Sequence, residues 1–111
     1  MSILIVEDDS LIALDLAMSF EDAGLTVAGP AQNVRRALEI IDNDPPDCAC
    51  LDYNLGRETS IPVAEALLER GIPFVFATGR LADICAEHDL PNARILSKPV
   101  DPSAILLALQ A

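Results

Sequence analysis

Three carboxylates, Glu7, Asp8 and Asp9, follow directly on the apolar run Ile3–Val6. Mutual repulsion and the cost of desolvation both disfavour such crowding at the end of a buried strand. The chain already carries net charge −11, with 7 Lys+Arg against 18 Asp+Glu. The cluster is therefore either loose and solvated or held by a cation. Three further residues could join it: Asp52 in "LDYN", Thr78 in "FATG" and Lys98 in "SKP". Lys98 is the single lysine in the chain, the other six basic residues being arginine. A compact ammonium on a flexible stem suits a point charge reaching into a small anionic site. Glu7, Asp8 and Asp52 together carry about −3, and a divalent cation with Lys98 supplies about +3. Hard oxygen ligands with few protein contacts favour magnesium, which keeps several of its waters. Asp52 would then stay ionised in a nearly neutral pocket, able to attack an activated phosphoryl group and become an acyl phosphate. The cation and Lys98 would neutralise charge on the transferring oxygens.

This chemistry requires elements that bring distant residues together, and the chain alternates short apolar runs with segments of helical period. Ile3–Val6 reads as a strand. A helix capped by Asp9 or Ser10 follows, with Leu11, Leu14 and Met18 as its expected inner face and Gly24 at its end. Leu25–Ala28 reads as the second strand, leaving "GPA" as the loop beyond it. Asn33 caps a helix with Val34, Ala37, Leu38 and Ile41 on one face, which "NDPPD" breaks. Cys48–Leu51 is the third strand. Ser60 begins a helix with Pro62 in its first turn and Val63, Ala66 and Leu67 on one face. Phe74–Phe76 is the fourth strand. A short helix with Leu81, Ile84, Cys85 and His88 follows, then a fifth strand at Arg94–Leu96 and a last helix opened by Asp101-Pro102.

Five strand–helix units in 111 residues imply one domain, a parallel sheet covered on both faces. The expected fold is α/β, doubly wound, with strand order 2-1-3-4-5. Such sheets place their sites beyond the carboxyl ends of the strands, near the switch between the first and third. Glu7, Asp8, Asp52, Thr78 and Lys98 all follow predicted strands. The acidic surplus argues against nucleic acid and against an anionic membrane. No run has the length of a membrane span or the form of a signal peptide, so the expected compartment is the cytoplasm. Three cysteines without a C-x-x-C suit free thiols, and Cys48 and Cys50 read as small buried hydrophobes.

With four motifs in order, each after a predicted strand, the sequence resembles a response-regulator receiver domain of two-component signalling, a flavodoxin-like fold. The motifs are "VEDD" at Val6–Asp9, "LDYNLG" at Leu51–Gly56, "FATG" at Phe76–Gly79 and "SKP" at Ser97–Pro99. The resemblance covers the whole chain and implies a single receiver domain without an output domain. It implies Asp52 as phosphoacceptor, Asp8 as a direct magnesium ligand, Glu7 as a ligand through water and Asn54 as a ligand through its main-chain carbonyl. It implies Thr78 as the switch hydroxyl and a cis Lys98–Pro99 bond. The partners implied are a sensor histidine kinase or a histidine phosphotransfer protein and a downstream protein, with the chain a monomer or weak dimer. The signal would leave through the face formed by the fourth helix, fifth strand and fifth helix. The protein would be no enzyme beyond its own phosphorylation and dephosphorylation. "PFVFATG" further resembles an alpha-proteobacterial single-domain group named for its F-A-T-G motif.

Three positions depart from the pattern. Gly56 stands where most receivers carry proline, Ile95 where they carry an aromatic switch residue, and Arg80 where the F-A-T-G group commonly has an aromatic or glycine. With no ring at Ile95, Thr78 is expected to shift the short Arg80–His88 helix directly, with Arg80 gating the approach to Asp52. Asp9 is expected to be a helix cap or a solvated charge, Tyr53 to pack on the side of the strand away from Asp52, and Arg35 and Arg36 to form a solvated face. His88 is expected to pack or lie at the surface rather than carry phosphate. Two other functional classes compete. A phosphohydrolase with an aspartate nucleophile generally needs a second aspartate at the position of Asn54. A degenerate receiver that binds partners without phosphorylation should have lost Asp52, the acidic pair or Lys98.

Overall fold

The computed structural model describes residues 1–78 and the strand at 93–97. Strand β1 (Ser2–Val6) is followed by helix α1 (Ser10–Asp22), β2 (Thr26–Ala31), α2 (Val34–Asn43) and β3 (Cys48–Asp52). A small hairpin comes next, β4 (Asn54–Leu55) with β5 (Glu58–Thr59), and then α3 (Ile61–Glu69), β6 (Phe74–Thr78) and β7 (Ala93–Ser97). The main sheet has the order β2-β1-β3-β6-β7 and every pairing in it is parallel. That is the expected 2-1-3-4-5 order, with the hairpin inserted after the third strand. The fourth and last predicted helices, Gly79, Arg80, His88, Lys98 and the Lys98–Pro99 bond lie outside the described residues.

Strand alternation divides the core into two layers, one on each face of the sheet. Ile3, Ile5, Cys48, Cys50 and Val75 face α1 and meet Ala17 and Phe20. Leu4, Val6, Ala49, Leu51, Phe74 and Phe76 face the other way and meet Ala37, Ile41, Val63, Ala64 and Leu67 from α2 and α3. Cys48 and Cys50 are buried, and neither forms a disulfide among the described residues. Burial pushes the Cys48 thiol up to about 11, with Asp47 adding to the shift. A thiol held protonated in this way is packing, as its place in the strand suggested.

The inner face of α1 differs from the expected one. Ala13, Ala17 and Phe20 are buried, whereas Leu11 is 78% exposed and Leu14 and Met18 are each 57% exposed. Apolar residues surround most of this helix, so periodicity alone does not select a face. The two alanines let the helix lie close on the sheet, and Phe20 fills the space beside them. In α3 the buried set is Val63, Ala64 and Leu67, with Ala66 only half-buried.

Strand β2 also runs further than expected, through the Gly29-Pro30-Ala31 segment read from sequence as loop. The register shifts between the Leu4↔Ala28 and Val6↔Ala31 pairs, and the Gly29–Pro30 peptide is cis. Gly29 has φ +91°, and a Cβ there would lie 2.7 Å from the Ala31 nitrogen. Only glycine fits such a bend. It occurs at the sheet edge, where proline's missing N–H does not interrupt a central ladder.

Candidate functional site

The carboxyl ends of β1 and β3 lie side by side, Val6 pairing with Leu51. The residues just beyond are Glu7 and Asp8 on one strand and Asp52 on the other. Glu7 is 3% exposed and Asp52 7% exposed, while Asp8 is open to solvent. One carboxylate oxygen from each lies within 4.8 Å of the others. Three hard oxygen donors at that spacing, two of them buried, repel unless a cation or a proton intervenes. The donor set therefore fits a hard divalent cation.

Backbone contacts hold this geometry. The Glu7 N–H donates to the Ala31 carbonyl at 2.9 Å, which ties the acidic loop to the end of β2. The Asp9 N–H donates to Glu7 Oε1 at 3.2 Å. Asp9 itself turns away as the N-cap of α1, its side chain accepting from the Leu11 and Ile12 N–H groups. Two adjacent aspartates thus have different places, Asp8 in the cluster and Asp9 on the helix.

Beyond Asp52 the chain enters the β4–β5 hairpin, which the sequence reading missed. The Ser60 N–H donates to the Tyr53 carbonyl at 2.9 Å, Asn54 pairs with Thr59, and Leu55 pairs with Glu58. Gly56, with φ +67°, begins the two-residue connection. Glycine at the first place of a two-residue loop is a recognised hairpin signal, so Gly56-Arg57 was a readable clue. Tyr53 is buried as expected, edge-on to Phe76 with ring centroids 6.0 Å apart. Asn54 is exposed on β4. Thr78 ends β6, its backbone register continuing Asp52↔Ala77 on the β3 side. Ile95 pairs with Phe76 in β7. Glu7, Asp8 and Asp52 are thus brought together, with Asn54 two residues from Asp52.

The response regulator receiver domain family matches this chain over residues 3–110. The chain belongs to that family. Among solved structures, this receiver is similar to SdrG from Sphingomonas melonis Fr1, with 41% identity, a TM-score of 0.80 and coverage of 100% of this chain and 97% of that one. It is also similar to the response regulator PhyR from Brucella abortus, at 29% identity and TM-score 0.79 over 98% of this chain and 45% of that one. Among curated proteins, the transcriptional regulatory protein PdtaR of Mycobacterium tuberculosis is 31% identical over 97% of this chain. The photosynthetic apparatus regulatory protein RegA of Rhodobacter capsulatus is 32% identical over 99% of it. This receiver spans 54% of the length of PdtaR and 61% of that of RegA.

Proposed function

We propose that this receiver takes a phosphoryl group onto Asp52 from a phosphohistidine of a histidine kinase or phosphotransfer protein. The observation that carries the reading is the convergence of Glu7, Asp8 and Asp52 within 4.8 Å at the carboxyl edge of the sheet. Asp52 supplies the nucleophilic oxygen. As the Oδ–P bond forms, the P–N bond to the donor imidazole breaks, and the ring nitrogen leaves with the electron pair. Glu7 and Asp8 would hold magnesium, Asp8 directly and Glu7 through water, with Asn54 offering its main-chain carbonyl. Magnesium, when bound, neutralises charge on the transferring oxygens. Lys98 completes that neutralisation, and Thr78 answers the new phosphoryl group as the switch hydroxyl. The signal leaves through the fifth strand and the segments flanking it, in the cytoplasm. The "PFVFATG" motif supports membership of the F-A-T-G group.

The exposed apolar stripe of α1, formed by Leu11, Leu14 and Met18, begins two residues after Asp9 and supports docking of the phosphodonor there. An exposed large apolar face beside a reactive site marks an interaction surface.

The test is Asp52→Asn with magnesium and a small phosphodonor. The variant is nearly isosteric and removes one of three clustered charges, so it should fold like the parent and fail to form the acyl phosphate. Phosphorylation of Asp52→Asn at the parent's rate refutes the assignment.

A further inference from the structure

The two halves of the site are separate in sequence, Glu7 and Asp8 on one loop, Asp52 and Asn54 on another. Both are anchored to the same short junction between β2 and α2. On one side the Glu7 N–H donates to the Ala31 carbonyl at 2.9 Å. On the other, the Val34 N–H donates to Glu58 Oε2 at 2.9 Å, across 24 residues of sequence. Ala31 and Val34 bracket the junction, and Asn33 stiffens it by accepting the Arg36 N–H at 2.8 Å. Val34 is the first residue of α2, whose unsatisfied N–H groups and dipole favour a carboxylate. Glu58 is in turn paired with Leu55 in the hairpin whose next rung is Asn54↔Thr59. A circuit of hydrogen bonds, joined through the peptide segment from Ala31 to Val34, therefore runs from the acidic pair, through the β2–α2 junction and Glu58, to the backbone of Asn54.

From this circuit we infer that Glu58 is a positioning residue for the metal site: by latching the β4–β5 hairpin to the start of α2 it holds the Asn54 carbonyl in register with Glu7 and Asp8. Glu58 is not one of the three clustered carboxylates, and its own carboxylate accepts from the Val34 N–H, so its action is indirect. A two-rung hairpin is only marginally stable by itself. Freed of the latch, it samples arrangements in which Asn54 is out of place. Apparent metal affinity then falls by the fraction of molecules in the competent arrangement. The inference rests on the magnesium site proposed above.

The experiment is magnesium titration of the unphosphorylated protein, followed by calorimetry, on the parent, Glu58→Ala and Glu58→Gln. Amide exchange at Val34 is measured in parallel. Glutamine keeps a carbonyl acceptor at the same reach and removes only the charge. Glu58→Ala should weaken magnesium binding roughly threefold to tenfold and speed exchange at Val34. Glu58→Gln should stay within about twofold of the parent and keep Val34 protected. A parent that binds magnesium while Glu58→Ala keeps its affinity overturns the latch alone. Equal weakening in both variants also overturns it, since charge rather than the bond would then be responsible. A parent that does not bind magnesium overturns the metal site and the latch with it.

Discussion

Asp8 and Asp9 are chemically identical neighbours that the backbone sends in different directions. Asp8 belongs to the carboxylate cluster, and Asp9 caps α1 through two N–H groups. Asp8→Ala should weaken magnesium binding by about tenfold or more, the loss of one charged ligand, with little loss of stability. Asp9→Ala should do the reverse, costing about 0.5–2 kcal/mol of stability as a lost cap and leaving magnesium affinity nearly intact. Equal effects in metal titration and chemical denaturation would contradict the division. Ser60 is a second residue whose role is legible only in three dimensions. Its hydroxyl is fully buried and, among the described residues, is the buried side-chain oxygen with no hydrogen-bond partner. It stands at the N-cap of α3 without making the cap bond. Ser60→Ala removes a desolvated, unpaired hydroxyl and should raise stability by about 1 kcal/mol. A loss of stability in urea denaturation would show that the hydroxyl is satisfied.

Helix α1 divides its apolar residues between two tasks. Ala13, Ala17 and Phe20 face the sheet, and Leu11, Leu14 and Met18 face solvent. Truncating the inner set would damage the fold, whereas changing the outer set leaves the core untouched. Leu14→Asp should therefore keep the parent's stability. It should slow phosphotransfer from a histidine kinase that phosphorylates the parent by about tenfold or more, the effect of one central interface residue. Phosphorylation by a small donor, which needs no docking face, should be unchanged. Equal slowing with both donors would place the effect in the reaction centre and refute docking on α1.

Across the whole molecule, the far edge of the sheet is fastened by a different carboxylate. The Ser2 N–H donates to Asp47 Oδ2 at 2.7 Å, and the Asp47 N–H donates back to the Ser2 carbonyl at 3.1 Å. This closes the start of β1 against the start of β3, opposite the end that carries Glu7 and Asp52. The Ser2 backbone bond holds the Asp47 carboxyl below its ordinary value of 3.8, with the Ser2 hydroxyl helping. A depressed folded-state pKa means that the unfolded chain binds the proton first. The stabilisation is therefore complete above about the unfolded value and is lost as pH falls through the lower, folded one. The stability gap between the parent and Asp47→Ala should be widest near neutral pH and narrow below about pH 4. Denaturation curves taken across that range check this, and a gap that widens on acidification would contradict it.

Much of this receiver could be read along the chain because strands buried on both faces appear as unbroken apolar runs. Ile3–Val6 and Cys48–Leu51 are such runs, and the carboxylates that follow them must emerge at the same edge of a parallel sheet. The caps at Asp9 and Asn33 and the buried Tyr53 were legible for the same reason: each obeys a rule spanning a few residues. Tertiary structure alone decided the rest. Leu11, Leu14 and Met18 fit helical spacing as well as Ala13, Ala17 and Phe20 do, and only the close approach to the sheet selects the face with two alanines and leaves room beside them for Phe20. Strand β2 crosses Gly29 and Pro30 because an edge tolerates a register shift that the sequence marks only as a breaker. Glu58 looks like any acid in a loop until a hydrogen bond spanning 24 residues joins it to Val34. Local periodicity states what a segment can form, and the partner surface decides which face it uses and what it holds.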